Sequence, residues 1–282
     1  MVAKIVDGRK IAEKIRNYVF IEVNKFYNKY DIKPNVVSVI VGENKESTLY
    51  LKLRDKACEK VGISSTKVKF SAEVSEKQVV EKILELNHDK NVHGVLIQMP
   101  LPSHISASKI FEVLDPLKDV EGFTPENMGR MLLGDEFIVP CTPFAVLKIL
   151  EHEKIDLKCK DVVILNHSTV VGKPLAALFL NRDSSVSIAH IFTKDLKSYT
   201  KKADILVSAT GVAGLIKKEH VKTDAFVVDV GIIPTEDGVV GDVERSVKEV
   251  AGKITPVPGG VGPVTVACSL LNMLKTFKNC LK

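Results

Sequence analysis

Short runs of β-branched residues alternate with stretches of helical spacing along the whole chain, and this alternation constrains the fold more than any other feature. Val36 to Val41 and Val92 to Met99 have the composition of buried strands. Apolar residues recur every four positions, as on one face of an amphipathic helix, at Ile11, Ile15, Val19 and Val23. Strands separated by single helices predict parallel sheets with right-handed crossovers. We therefore expect an α/β fold.

The second half of the chain repeats this scheme. Strands are predicted at 162–165, 186–189, 205–209 and 226–230; helices are predicted at 47–61, after Ser75, and from 264 to about 281. The longest stretch without a clear period, Asp115 to Pro143, is rich in proline and glycine. We place a domain boundary there, so the sequence predicts two α/β domains.

Composition excludes several classes of protein. A chain of 282 residues with 45% hydrophobic and 27% charged residues is typical of a fully folded protein. The net charge of +5 comes from scattered lysines and there is no Trp, so we expect no nucleic-acid partner. The 5 cysteines form no C-x-x-C pair and no His stands at metal-ligand spacing, which favours reduced thiols and no metal. Neither a signal peptide nor a membrane-spanning run is evident, so the cytoplasm is the expected compartment.

The most constrained segment runs from Thr255 to Thr265 and reads Thr-Pro-Val-Pro-Gly-Gly-Val-Gly-Pro-Val-Thr. Its three prolines and three glycines fix an unusual backbone, and the glycines allow a ligand to approach closely. A tight surface loop before the last helix is the alternative, but it would not require so many constrained positions. We interpret the segment as a ligand-facing loop.

Small residues follow three of the predicted strands in the second half. Asn166 to Pro174 follows the first of them, and Pro174 suits the first position of a helix whose N-terminus receives a pyrophosphate. The dinucleotide fingerprint G-x-G-x-x-G is absent, since only Gly172 is present, so this turn alone is hardly distinguishable from an ordinary strand-to-helix turn. Two further turns, at 209–211 and 229–232, fall on the same predicted sheet edge, and together the three turns predict a cofactor crevice.

Polar candidates in the first half are individually weak. Ser47, Tyr50 and Arg54 have helical spacing on one face, which is more often a solvated face than a site. Gln98 stands at the end of a predicted strand, where an α/β site would place a polar group. Asp119 and Glu121 are candidate site carboxylates or loop caps.

Taken together, these segments resemble the bifunctional methylenetetrahydrofolate dehydrogenase/cyclohydrolase family, and the resemblance runs from Asp7-Gly8 to the final helix. Its most specific motifs are Pro256-Val257-Pro258-Gly259-Gly260-Val261-Gly262-Pro263 and Val92-His93-Gly94-Val95-Leu96-Ile97-Gln98-Met99-Pro100-Leu101-Pro102. Other matching segments are Cys141-Thr142-Pro143, Val170-Val171-Gly172-Lys173-Pro174 and Val240-Gly241-Asp242-Val243.

The resemblance implies a tetrahydrofolate-binding catalytic domain over 1–120, completed by the final helix at about 264–282. A Rossmann-like NAD(P)-binding domain with a parallel sheet is implied over 121–282. It also implies a homodimer, with one-carbon derivatives of tetrahydrofolate held in the cleft between the domains. Family enzymes pass hydride from 5,10-methylene-tetrahydrofolate to the cofactor, and most then hydrolyse the methenyl product to 10-formyl-tetrahydrofolate.

Site residues follow from the resemblance, position by position. The implied catalytic residues are Tyr50, Arg54, Gln98 and Glu121. The implied substrate-binding residues are Ser47, Pro100, Gly259, Gly260 and Pro263. The implied cofactor-binding residues are Thr142, Asn166, His167, Ser168, Gly172, Ile191, Gly211, Ile232 and Thr265.

Two departures from the family pattern affect the hydrolytic step. The family motif Ser-x-x-Tyr-x-x-x-Lys ends here in Arg54, and the second Asp of Lys-Asp-Val-Asp-Gly is Glu121. Arginine stays protonated up to about pH 12 and cannot move protons as a buried lysine does. We therefore predict a dehydrogenase whose cyclohydrolase activity is weak or absent. A folate-binding pseudoenzyme and a reductase of shikimate-dehydrogenase-like architecture are the alternatives, and the Pro-Val-Pro-Gly-Gly segment argues against the second.

Two other departures affect cofactor choice. The cofactor turn reads Asn166-His167-Ser168 instead of Gly-Arg-Ser, and Ile191 replaces the Ser that follows His190 in the family. A 2′-phosphate usually needs an Arg or a cluster of donors, so NAD is favoured over NADP. NADP stays open, because Lys173 and Lys194 are near in sequence and no Asp or Glu ends the strand at 186–189.

Overall fold

The computed structural model describes residues 2–42 and 45–281, and the side chains of this range except those of 45–50. Its strands are β1 (Lys4–Ile5), β2 (Asn35–Val41), β3 (Ser64–Phe70), β4 (Gly94–Ile97), β5 (Asp161–Leu165), β6 (Ser185–Ala189), β7 (Ile205–Ser208), β8 (Phe226–Asp229), β9 (Ile233–Thr235), β10 (Gly238–Val240) and β11 (Lys253–Ile254). Its α-helices are α1 (Gly8–Tyr30), α2 (Lys45–Lys60), α3 (Glu76–His88), α4 (Ala107–Val113), α5 (Pro125–Leu132), α6 (Cys141–His152), α7 (Gly172–Leu180), α8 (Leu196–Thr200) and α9 (Val261–Cys280). None of these helices has both the length and the apolar character that crossing a membrane requires.

The chain divides into two compact units, each with its own sheet. The six-stranded unit consists of the chain up to Ala12 together with Met131–Gly134 and Thr142–Thr265. The three-stranded unit consists of Glu13–Arg130, Asp135–Cys141 and the chain from Val266 onward. The predicted domains, 1–120 and 121–282 with a shared final helix, stay a proposal about the chain's organisation.

Parallel strands form the sheet of each unit, as the alternation of strands and helices predicts. The three-stranded sheet has the order β3-β2-β4, and the six-stranded sheet has the order β1-β11-β8-β7-β5-β6. Strands β9 and β10 form a separate antiparallel hairpin. In the six-stranded sheet β6 lies on one side of β5 and β7 lies on the other, so the strand order reverses at β5.

Each unit buries an apolar core against its sheet. In the three-stranded unit Val19 and Val23 of α1 pack with Leu270 and Leu274 of α9 in one cluster. A second cluster in this unit joins the strand β2 to the α3 side chains Val79, Ile83 and Leu86. In the six-stranded unit the core includes Val163, Leu206, Val227 and Ile254, from four neighbouring strands. Burial of each such side chain stabilises the folded unit by about 1.5–3 kcal/mol relative to leaving that side chain exposed.

Most elements begin within a few residues of their predicted positions, and the differences have local causes. Ser75 caps α3 as predicted, since its hydroxyl accepts a hydrogen bond from Gln78 N. Helix α7 begins at Gly172 rather than at Pro174, so the proline takes the third helical position. The spacing of Leu49, Leu53 and Ala57 in the sequence predicts that Leu53 lies on the buried face of α2. Leu53 is instead 52% exposed, because Arg54 occupies the buried face.

Candidate active site

Three of the four predicted catalytic residues lie together in the three-stranded unit. Arg54, on α2, donates from Nη1 to Glu121 Oε1 at 3.2 Å and from Nη2 to Gln98 Oε1 at 3.5 Å. Gln98 follows β4 directly, and its own Nε2 donates to Met99 O at 2.9 Å, which fixes the amide with its oxygen towards the guanidinium. Arg54 is only 3% exposed, so the cation is largely removed from solvent, and Glu121 and Gln98 supply acceptors for it.

The remaining residues assigned to this site are placed less completely. Ser47 and Tyr50 lie in the first turns of α2, but their side chains fall outside the described part of the structure. Their roles therefore stay as the resemblance implies them. Pro100 is exposed and follows the Gln98-Met99 segment, so it borders the same strand end.

Asp119 holds the turn that presents Glu121. Its carboxylate accepts hydrogen bonds from the backbone N of Gly122 and of Thr124, both at 2.8 Å, and from Glu121 N at 3.1 Å. Asp119 is 1% exposed, and this burial raises its pKa while the hydrogen bonds oppose the rise. Of the two carboxylates in this segment, Asp119 caps the loop and Glu121 faces Arg54.

Burial raises the pKa of Glu121, and the neighbouring Arg54 guanidinium opposes this rise. The Cys141 thiol also hydrogen-bonds to Glu121, and burial together with the Glu121 charge raises the pKa of this thiol well above its usual value. Cys141 Sγ lies 3.7 Å from Val120 O and 3.6 Å from Asn272 Nδ2, so Cys141 and Asn272 pack beside the segment that carries Glu121. The site thus combines a permanent cation with a carboxyl group that retains a proton more readily than a free one. Neither Cys141 nor Asn272 was predicted as a residue of this site; the Cys141-Thr142-Pro143 motif was the sequence signal near it.

The predicted cofactor turn after β5 is a tightly bonded structure. Asn166 Nδ2 donates to Ala209 O at 2.7 Å, which joins the ends of β5 and β7. Asn166 Oδ1 accepts from Ser168 N at 2.7 Å and from Gly172 N at 3.1 Å. A Cβ atom at Gly172 would lie 2.0 Å from Asn166 O, so only glycine fits there. The Asn166 side chain therefore fixes the shape of the turn, whereas the side chain of His167 is exposed to solvent.

The other predicted cofactor residues follow neighbouring strands of the same sheet. Gly211, with φ of 71°, follows β7, and the exposed Ile232 follows β8. Ile191 follows β6 and is 87% exposed. Because β8, β7, β5 and β6 are adjacent and parallel, these turns share one edge of the sheet, as predicted. Thr142 and Thr265 lie instead near the starts of helices α6 and α9, and Thr265 Oγ1 donates to Val261 O at 3.2 Å.

The Pro-Gly-Gly segment packs against the start of α1 within the six-stranded unit. Gly8 N donates to Gly259 O at 2.9 Å, and a Cβ atom at Gly8 would lie 1.8 Å from Gly260 O. Gly259 has φ of 105°, a backbone conformation that only glycine adopts readily. Further along, Ile232 lies 3.7 Å from where a Cβ atom of Gly262 would stand. The segment, which continues into α9 through Pro263, thus adjoins the end of β8.

A sheet whose strand order reverses at β5, with small residues in the turns at its carboxyl edge, defines a class of protein. Ligands of such doubly wound sheets bind in the crevice outside the strand ends at the point of reversal. In this chain that point lies between β5 and β7, where Asn166 bridges the two strands. The six-stranded unit is therefore of the Rossmann-like, dinucleotide-binding class.

Comparison with known proteins identifies the family. The model for the tetrahydrofolate dehydrogenase/cyclohydrolase catalytic domain matches residues 6–121, and the model for the NAD(P)-binding domain of the same enzymes matches residues 140–281. The chain belongs to the tetrahydrofolate dehydrogenase/cyclohydrolase family. Bifunctional protein FolD of Methanosarcina barkeri is 48% identical over 96% of this chain and 95% of its own length.

Two solved structures extend the comparison. The bifunctional FolD enzyme of Campylobacter jejuni has 41% identity and a TM-score of 0.95, covering 98% of this chain and 99% of that one. The Trypanosoma brucei dehydrogenase-cyclohydrolase, complexed with NADP and an inhibitor, has 34% identity and a TM-score of 0.96, covering 100% and 99%. Both confirm the predicted two-domain α/β fold and the recognised family.

Proposed function

We propose that this protein is an NAD(P)-dependent methylenetetrahydrofolate dehydrogenase that oxidises 5,10-methylene-tetrahydrofolate to the methenyl derivative, with methenyl hydrolysis as its weaker second reaction. The observation that carries the proposal is the contact of the buried Arg54 with the half-buried Glu121 and Gln98, within the region matched by the family's catalytic-domain model. These three side chains present one cation, one carboxyl group and one amide. Such a set suits a folate ring that carries several hydrogen-bond donors and acceptors.

Hydride transfer depends mainly on holding the folate and the nicotinamide face to face at close range. It needs little proton transfer, so an arginine at position 54 is compatible with the oxidation. Hydrolysis of the methenyl group needs a group that moves protons near neutral pH, and Arg54 does not provide one. Glu121, whose pKa burial raises, is a titratable group of the site that contacts Arg54 directly, with its Oε1 3.2 Å from Nη1.

The decisive experiment follows the formation of reduced cofactor when methylene-tetrahydrofolate is mixed with the protein and with NAD or NADP. We expect reduction with at least one cofactor. In Glu121→Ala we expect a loss of about tenfold to 100-fold in catalytic efficiency, because a charge-assisted hydrogen bond to the folate, worth about 1.5–3 kcal/mol, is removed. The matched control is Glu126→Ala, which removes an exposed carboxylate that pairs with Arg130 of the same helix. Absence of folate-dependent reduction with either cofactor would refute the proposal and favour the pseudoenzyme alternative, which none of the relatives supports. Family models matching both halves of the chain likewise argue against a shikimate-dehydrogenase-like reductase.

We further propose that NAD is used at least as well as NADP. His167 and His190 have ring centroids 4.6 Å apart at the ends of β5 and β6, and Ile191 beside them offers no donor. His190 Nδ1 accepts a hydrogen bond from Phe192 N at 3.2 Å, so this nitrogen is not available to a phosphate. Neither the two histidines nor Ile191 supplies a guanidinium, so a 2′-phosphate at these strand ends would lack the bidentate donor that NADP sites usually provide.

The ratio of catalytic efficiencies for the two cofactors tests this preference. We expect His167→Arg to raise the efficiency with NADP by about tenfold, which corresponds to about 1.4 kcal/mol, and to leave that with NAD nearly unchanged. His152→Arg adds the same charge on an exposed residue of α6 in the same unit and serves as the control. A tenfold native preference for NADP would contradict the proposal and point to Lys173 and Lys194.

A homodimer remains our proposal for the assembly. The edge strand β6 belongs to the six-stranded sheet, and large apolar side chains near it are exposed: Leu180 at 56%, Ile188 at 38% and Phe192 at 79%. An uncovered edge with apolar neighbours favours pairing with a second copy. Sedimentation equilibrium should show a dimer that Ile188→Glu weakens. Val239→Glu, on the β9–β10 hairpin, should leave the dimer intact and serves as the control. A monomeric native protein would exclude the proposed homodimer. The predicted cytoplasmic location stays a prediction.

A further inference from the structure

Two buried carboxylates stand behind the predicted cofactor edge, and the site residues discussed so far do not include them. Asp242 is 0% exposed and Asp229 is 4% exposed, both within the six-stranded unit. Asp229 ends β8, whereas Asp242 belongs to the Val-Gly-Asp-Val segment after β10. A carboxylate is expensive to bury, so each of these needs several hydrogen-bond donors, and the identity of those donors indicates what it holds.

Asp242 is bonded to the end of β7. Its Oδ2 accepts from Ser208 Oγ at 2.7 Å and from Thr210 N at 2.6 Å, and its Oδ1 accepts from Gly211 N at 3.0 Å. Two successive backbone N–H groups of this turn, those of Thr210 and Gly211, therefore point to one carboxylate. Since the C=O of a trans peptide points opposite to its N–H, the Thr210 carbonyl is directed away from Asp242. The Ala209 carbonyl obeys the same geometry and meets Asn166 Nδ2 at 2.7 Å.

Asp229 fixes Asp242 in turn. It accepts hydrogen bonds from the backbone N of Gly231, Asp242 and Val243, each at 3.0 Å. The two carboxylates also exclude side chains from each other's segment. A Cβ atom at Gly231 would lie 2.1 Å from Asp242 Oδ1, and one at Gly241 would lie 2.0 Å from Asp229 Oδ2. The two glycines and two aspartates thus form one interlocked unit that joins the turns after β7 and β8.

We propose that Asp242 is a positioning residue for the nicotinamide cofactor. It fixes the peptide planes after β7 so that the Thr210 carbonyl is presented as an acceptor to a donor group of the cofactor, a carboxamide or a ribose hydroxyl. Asp229 acts one step further back by holding Asp242. This inference rests on the proposed function, because it assumes that the nicotinamide cofactor binds at this edge.

Asp242→Asn tests the proposal, because an amide has a single acceptor oxygen and its NH₂ would face inward-pointing donors. At least one bond to Thr210 or Gly211 must then be lost. We expect the KM and the Kd for the cofactor to rise tenfold or more, while kcat at saturating cofactor and the KM for the folate change less than about threefold. The dissociation constant is measured by titrating the fluorescence of the reduced cofactor.

The matched control is Asp204→Asn, which alters a carboxylate of the same unit at the opposite, amino edge of the sheet. Asp204 Oδ2 accepts from Asp161 N at 3.0 Å and Oδ1 accepts from Lys222 Nζ at 2.6 Å, so the control removes comparable bonds away from the cofactor turns. A similar loss of cofactor affinity in both variants would overturn the proposal, because it would show a general structural effect. Unchanged cofactor affinity in Asp242→Asn would overturn it as well.

If Asp242→Asn does not fold, backbone hydrogen exchange of the native protein tests the proposal instead. The amides of Thr210 and Gly211 should be protected before cofactor is added, since Asp242 already binds them. Protection that arises only on addition of cofactor would show that these N–H groups serve the ligand directly, and would overturn the proposal. If the native protein reduces no cofactor at all, the proposed function fails, and that result is distinct from every outcome above.

Discussion

Replacing Arg54 with lysine is expected to increase the rate of methenyl-tetrahydrofolate hydrolysis. The guanidinium is 3% exposed and is held by Glu121 at 3.2 Å and Gln98 at 3.5 Å, so a lysine side chain at this position would enter the same buried, polar environment. Burial lowers the pKa of an ammonium group, and the Glu121 charge offsets only part of that effect because burial raises the pKa of Glu121 itself. Lysine then alternates between protonated and neutral forms, which arginine does not.

The size of the effect follows from the two opposing changes. A positioned proton-transfer group contributes about 10²–10⁴-fold, or roughly 3–5 kcal/mol at 1.36 kcal/mol per tenfold. The shorter lysine keeps a contact with Glu121 or with Gln98 but not with both, and one lost charge-assisted hydrogen bond costs about 1.5–3 kcal/mol of stability. We therefore expect a gain of about 100-fold in hydrolysis with a modest fall in the free energy of unfolding, and a change of less than about tenfold in the dehydrogenase rate.

The assay follows the decay of methenyl absorbance with native protein and with Arg54→Lys, each against the buffer rate. Lys52→Arg is the control, because Lys52 is an exposed residue two positions away on α2 and faces elsewhere. Urea unfolding shows that the variants are folded. Rapid hydrolysis by the native protein would refute the reasoning about Arg54, and so would a folded Arg54→Lys variant that hydrolyses no faster than the native protein.

Two further predictions concern stability. Gly8→Ala should lower the free energy of unfolding by about 1–3 kcal/mol, since its Cβ would lie 1.8 Å from Gly260 O. Gly129→Ala in α5 should raise it by about 0.5–1 kcal/mol, because among the described residues no atom beyond the adjoining backbone of its own helix lies within 4 Å of the added Cβ. Equal effects of the two variants in urea unfolding would contradict this prediction. Burial raises the pKa of Asp229 from 3.8 to about 6, so its stabilising contribution is fully present below about pH 4 and is lost as the pH rises through about 6. The free energy of unfolding of the native protein relative to Asp229→Asn should fall by up to about 3 kcal/mol between about pH 4 and pH 6.5, and a constant difference over that range would show that the raised pKa is wrong.

The sequence by itself determines the features that depend on near neighbours in the chain. The spacing of Ile11, Val19 and Val23 places them on the buried face of α1, and each is at most 3% exposed. Ser75 and Gln78 form a capping box because both partners lie within one helical turn. The alternation of strands and helices is sufficient to predict parallel sheets, and the family motifs predict residues for both candidate sites.

Only the tertiary structure decides which polar side chains are buried together. Arg54 and Glu121 are 67 residues apart in sequence, and Asp242 lies 34 residues from Ser208, so no local pattern reveals either contact. On α2 the apolar spacing predicted a buried Leu53, but Arg54 is buried because the Glu121 carboxylate and the Gln98 amide replace its lost hydration. Burying a charge is favourable only where distant segments supply partners, and the fold alone determines where those segments meet.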